Sequence, residues 1–121
     1  MVLAILFACS SNGEGPRVAI TGNWQWIRST GGFAGTTNTP ESTGDRRNLE
    51  ISPITLKAYL NGHLELETPY TLELGESQLF NDIRDILIQE NGFRQVVEQR
   101  GDSLFLIGDC NDCFTDVYIK G

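Results

Sequence analysis

Two cysteines, Cys110 and Cys113, close the run Gly-Asp-Cys-Asn-Asp-Cys near the end of the chain. A Cys-x-x-Cys pair does redox chemistry when it opens a helix, where the helix dipole lowers a thiol pKa. Here the pair precedes a β-rich segment, and Asp109 and Asp112 flank it with charges that work against a thiolate. The pair therefore reads as a local structural disulfide, worth roughly 2 kcal/mol for so short a loop. A structural zinc wants four Cys or His ligands. Beyond this pair the same region offers none, and the single histidine, His63, follows a turn glycine and reads as an exposed turn residue. Asp109, Asn111 and Asp112 lack the central Gly and the downstream bidentate Glu of a calcium loop. A Ser-His-Asp triad would have to use His63, and the chain has no Gly-x-Ser-x-Gly elbow. Glu65 and Glu67 share a strand face, but that face opposes Leu64 and Leu66, so it is expected to meet solvent. No catalytic residue, metal or cofactor is expected. What remains is Trp24, Trp26 and Arg28, which share one face of a strand at period two. An arginine beside two tryptophans could hold the carboxylate of a lipophilic ligand.

Those residues need a frame, and 121 residues provide one domain with one core. The net charge of −7 argues against nucleic acid, whose phosphates would repel the chain, and against adhesion to anionic lipid. Its plain consequence is solubility.

The elements follow from alternation and turn signals. Val18–Ser29 is β-rich. The Gly-, Thr- and Pro-dense stretch Thr30–Asp45 has no period and reads as a long loop. Arg47–Ser52 is a short strand with Leu49 and Ile51 on one side, ended by Pro53. Ile54–Leu74 is a hairpin around Asn61-Gly62, the dipeptide that best accepts two positive φ angles. Ile54, Leu56, Ala58 and Leu60 alternate on one arm and Leu64 and Leu66 on the other, and Pro69 marks a bulge or an edge. A strand from about Ile83, a second hairpin at Asn91-Gly92, a turn at Gly101-Asp102 and a final strand from Phe114 complete the list. About eight strands joined in order by short turns predict an all-β fold, a single antiparallel up-and-down barrel, with a two-sheet sandwich as the alternative.

The first residues are apolar up to Cys9 and polar after it. The apolar run is too short to span a bilayer. Leu6-Phe7-Ala8-Cys9 resembles the bacterial lipobox, although Phe7 is bulky for it and no Lys or Arg precedes Arg17. The resemblance implies cleavage before Cys9, lipidation of Cys9, and several acyl chains in a membrane, enough for a firm anchor. Residues 1–8 would then be a signal-peptide remnant, 9–17 a lipidated tether and 18–121 the barrel. With Cys9 assigned to lipid, Cys110 and Cys113 are left to pair in an oxidising compartment.

Gly22-Asn23-Trp24 resembles the Gly-x-Trp of lipocalins, in which the Trp plugs the closed end of the barrel and a basic residue of the last strand packs over it. Lys120 is the matching residue, and Tyr118 shares its face. Ser29-Thr30-Gly31-Gly32, Thr39-Pro40 and Gly44 are similar, in order, to small lipocalin-like lipoproteins of Bacteroidetes. The resemblance covers about Gly22 to Lys120 and implies a fold and a cell-envelope location rather than an activity.

Together these readings predict a monomeric, non-catalytic lipoprotein of the cell envelope, at the outer membrane. It would bind a small lipophilic or amphipathic ligand with Trp24, Trp26, Arg28 and Tyr118, beneath a Thr30–Asp45 cover. Two alternatives stand beside it: a filled barrel that acts as a surface interaction or assembly module, and an envelope thiol-redox protein using Cys110 and Cys113.

Overall fold

The computed structural model describes residues 18–32 and 35–121. The expected lipid anchor at Cys9, with its signal remnant and tether, lies outside the described residues. The described residues form nine strands and one short helix: β1 (Gly22–Gly31), β2 (Thr36–Asn38), α1 (Pro40–Thr43), β3 (Arg47–Ile51), β4 (Thr55–Leu60), β5 (His63–Glu76), β6 (Ile83–Gln89), β7 (Arg94–Arg100), β8 (Ser103–Gly108) and β9 (Phe114–Lys120). Apart from β2, neighbours in the barrel follow chain order, every pairing is antiparallel, and β1 pairs with β9 to close the sheet. The result is an eight-stranded up-and-down barrel with β2 added as an extra strand.

The turn chemistry accounts for the order. Asn61 and Gly62 adopt φ of 52° and 86° and join β4 to β5 in two residues. Gly92, at φ 92°, closes the β6–β7 turn, where the Gln89 amide donates to the Phe93 carbonyl at 3.0 Å. Closure depends on β5. Its first half, His63–Pro69, pairs with β4, and its second half, Tyr70–Glu76, pairs with β6. One strand thus hands the sheet from one neighbour to the next, which is the stagger a tilted barrel requires. Pro69 sits at the handover.

Inward side chains fill the barrel as one cluster: Trp24, Trp26, Leu49, Ile51, Leu56, Leu87, Val97, Leu104, Leu106 and Tyr118, with Ile20 beneath them. A second apolar patch lies outside. Ile86 and Val96 pair on the outer face of β6 and β7 and are nevertheless fully buried. The segment 77–82, which leads from β5 to β6, is held by Asp109, at the end of β8. The Asp109 carboxylate accepts hydrogen bonds from Ser77 Oγ and from the Gln78 and Leu79 amides, at 2.7, 3.0 and 3.0 Å.

Three expectations are corrected. The stretch Thr30–Asp45 is more ordered than a loop. β1 runs on to Gly31 and pairs with β2. The Thr39 and Ser42 side chains then cap each other's backbone amides to start α1 on Pro40, and Gly44 ends it at φ 75°. The capping box and the Pro–Gly asymmetry explain the helix, and they are carried by single residues rather than by a period. Second, Leu64 and Leu66 do not fill the barrel: they are 49% and 41% exposed. The β4–β5 register shifts between Ala58 and Tyr59, so Glu65 is an extra residue that breaks the alternation. Third, Arg28 does not follow Trp24 and Trp26 inward. The β1–β9 register shifts between Trp26 and Arg28, so Ile27 is inserted. Arg28 then lies opposite Val117 on the outer face and is exposed, and Ser29 takes the inward position.

Candidate binding site at the barrel mouth

The two ends of the barrel are built differently. At the closed end Trp24 is fully buried and donates its indole N–H to the Ile20 carbonyl at 2.8 Å. The Lys120 ammonium stands 4.9 Å from the Trp24 ring centroid, beside Gly22, where an added Cβ would lie 3.5 Å from Lys120 Nζ. The structure thus brings Gly22, Trp24 and Lys120 together, at the end of the barrel away from Tyr118 and Arg47.

The open end carries the unsatisfied chemistry. Trp26 is 1% exposed and pairs with Tyr118 across the β1–β9 seam. Its indole N–H donates to Ser29 Oγ at 2.8 Å, and Ser29 in turn donates to the Asp116 carboxylate. The Arg47 guanidinium lies over the Trp26 ring, 4.8 Å from its centroid. Arg47 therefore occupies the place expected for Arg28. Burial pushes the Asp116 carboxyl above its ordinary value, against the Ser29 hydrogen bond and the Arg47 charge. Burial also pushes the Tyr118 hydroxyl well up, with the Asp116 charge adding and the Arg47 charge opposing, so it stays neutral. That hydroxyl makes no hydrogen bond among the described residues.

A cavity of about 270 Å³ opens here, lined by Arg47, Leu49, Ala58, Leu60, Glu65 and Tyr118 together with the backbone of their strands. The cluster of buried side chains below it is continuous, so the cavity is a cup at the mouth and not a tube along the axis. Of the four expected ligand residues, Tyr118 lines the cup, Trp26 lies beneath Arg47, Trp24 is in the plug and Arg28 is outside. Arg47, Glu65, Ser29 and Asp116 were not foreseen. Arg47 had a signal, since it shares the parity of Leu49 and Ile51, and Asp116 shares that of Tyr118. Glu65 and Ser29 had none, because each depends on a bulge.

Cys110 and Cys113 form a disulfide with Cα atoms 5.3 Å apart, in the β8–β9 turn. Cys113 fills the space beside Gly108, where an added Cβ would stand 2.3 Å from Cys113 Cβ. Burial works to raise the neighbouring Asp109 carboxyl, yet the three hydrogen bonds it accepts and the Arg94 charge outweigh this and hold it below its ordinary value. His63 ends the β4–β5 turn and is exposed. Among the described residues no group of three or more His, Cys, Asp or Glu could hold a metal ion. A larger hollow, about 470 Å³, lies on the outer face between Asn23, Glu50, Lys57 and Glu67, which form one cross-strand row. Comparison with protein-family models, curated proteins and solved structures returned no match.

Proposed function

We propose that the protein is a non-catalytic binding domain that takes a small amphipathic molecule at the mouth of its barrel, tethered to the cell envelope by a lipid on Cys9. The observation that carries the binding half is the cup. It combines an apolar wall of Leu49, Ala58 and Leu60 with a guanidinium stacked on Trp26 and an unpartnered Tyr118 hydroxyl. A few convergent polar groups on an otherwise apolar hollow are the common make-up of small-molecule sites. The cup is smaller than the roughly 300–1,000 Å³ of drug-sized sites, so the ligand is small. The envelope half rests on the lipobox-like run ending at Cys9 and on the lipocalin-like pattern from Gly22 to Lys120.

Trp26 makes the test direct. Tryptophan fluorescence of the full chain is followed while short fatty acids, aromatic acids and amino acids are titrated. A saturable change that Arg47→Ala removes and Arg28→Ala leaves intact supports the reading. A flat response across the panel from folded protein overturns it. The second reading, an interaction module, then takes over. It is favoured by Leu64 and Leu66, which stand exposed on the β4–β5 hairpin while the barrel is filled without them.

A further inference from the structure

We infer that the ligand of the mouth is a zwitterion, a compact molecule bearing one carboxylate and one ammonium on an apolar body, the chemistry of a free apolar amino acid. The inference rests on the mouth being the binding site.

Opposite charges line the same cup: Arg47 and Glu65. They are not joined to each other by an ion pair, and neither has a hydrogen bond to a described residue. Arg47 is exposed, and its guanidinium lies over the Trp26 ring, 4.8 Å from the centroid. Beside it, the Tyr118 hydroxyl belongs to a side chain more than nine-tenths buried, lines the cup and has no partner. A guanidinium and a phenol hydroxyl offered together are donors for a carboxylate. Glu65 offers only acceptors and suits an ammonium.

Other ligand classes fit less well. A simple carboxylate would pair with Arg47 but leave the Glu65 charge in the same small hollow without a counter-charge. A neutral apolar molecule would cover Arg47 and Tyr118 and leave their donors unpaired, which is costly once water is excluded. An amine alone would sit beside the Arg47 charge. A long acyl chain has no room in a hollow of about 270 Å³ above a continuous buried cluster. Asp116 also faces the Arg47 charge, but it is hydrogen-bonded to Ser29 rather than to the guanidinium.

The experiment is calorimetric titration of the full chain with L-leucine and L-phenylalanine. The probes beside them are isocaproate and hydrocinnamate, which lack the ammonium, and isoamylamine, which lacks the carboxylate. Both amino acids are expected to bind, and each truncated probe to bind about tenfold more weakly or worse, one charge-assisted contact being worth about that much. Glu65→Gln is expected to weaken the amino acids and to leave the acids unchanged or tighter. Tyr118→Phe is expected to weaken amino acids and acids alike. Acids that bind as tightly as the amino acids, with Glu65→Gln silent, overturn the zwitterion and leave the mouth standing as a site for monoanions. No heat from any of the five probes also overturns it, and the broader fluorescence panel then decides whether the mouth itself fails.

Discussion

Trp24 and Trp26 lie two residues apart on one strand, both buried, both on the barrel axis and both with a cation over the ring. They nevertheless serve two different ends. Trp24 satisfies its indole N–H on a backbone carbonyl, so that hydrogen bond depends on no titratable side chain. Trp26 satisfies its own on Ser29, which leans on Asp116, and its cation lines an open cup with an unpaired hydroxyl. The closed end is finished chemistry, whereas the mouth is held together by side chains that a ligand or a proton could rearrange. Stability belongs to the first tryptophan and responsiveness to the second.

The contrast can be broken at several levels of energy. The largest effect is expected from Trp24→Ala, which removes the plug and should cost about 3–5 kcal/mol in denaturant unfolding. A loss under about 1 kcal/mol, small on the scale of core truncations, would mean that Trp24 closes nothing. Next comes Asp109→Ala, which orphans three donors on segment 77–79 and should cost about 1–3 kcal/mol. Amide exchange should then accelerate in that segment and not at the closed end.

A subtler effect separates the two carboxylates at the mouth end of β8 and β9. Asp109 has a folded pKa below its ordinary 3.8, so its contribution is full above that value and fades as pH falls through the folded pKa. Asp116 is displaced the other way. The folded state keeps its proton longer than the unfolded chain, so stability is lost as pH rises from 3.8 through the folded pKa and is level above it. Asp116→Asn should therefore gain stability over wild type as pH rises across that window, and the gain should vanish below it. A constant difference at all pH values would show that Asp116 is not strained by burial.

The smallest effects compare the two cations. Lys120→Ala and Arg47→Ala should each cost about 0.5–1 kcal/mol, as exposed contacts on an aromatic face do. Only the second should abolish the ligand response, and equal loss of binding in both variants would erase the distinction between the ends.

Much of the barrel was legible because it is written in repeated signals. Asn61-Gly62 and Asn91-Gly92 fix two turns, and the alternation of Leu49 with Ile51 and of Leu56 with Ala58 fixes which side faces in. The plug residues were legible too, since Gly22, Trp24 and Lys120 hold period-two positions that no irregularity disturbs. The mouth was not, because both of its surprises are bulges. A single inserted residue, Ile27 or Glu65, reverses every side chain beyond it. Arg28 was lost outward in this way and Ser29 brought inward, and no composition or spacing marks where an insertion falls. Arg47 could have been found by extending the parity of Leu49 back by one step. The helix over Pro40–Thr43 needed the capping pair Thr39 and Ser42 to be weighed individually.

The seam between β1 and β9 sets an order of events for the growing polypeptide. Trp24 meets Lys120 and Gly31 meets Phe114, so the earliest strand must wait for the latest before either edge is covered. Such sequence-distant pairing slows folding. Until the last strand emerges from whatever machine releases it, an open sheet with a bare edge on β1 exists in its place. A barrel that closes its first strand on its last is exposed to aggregation until that last strand has been made.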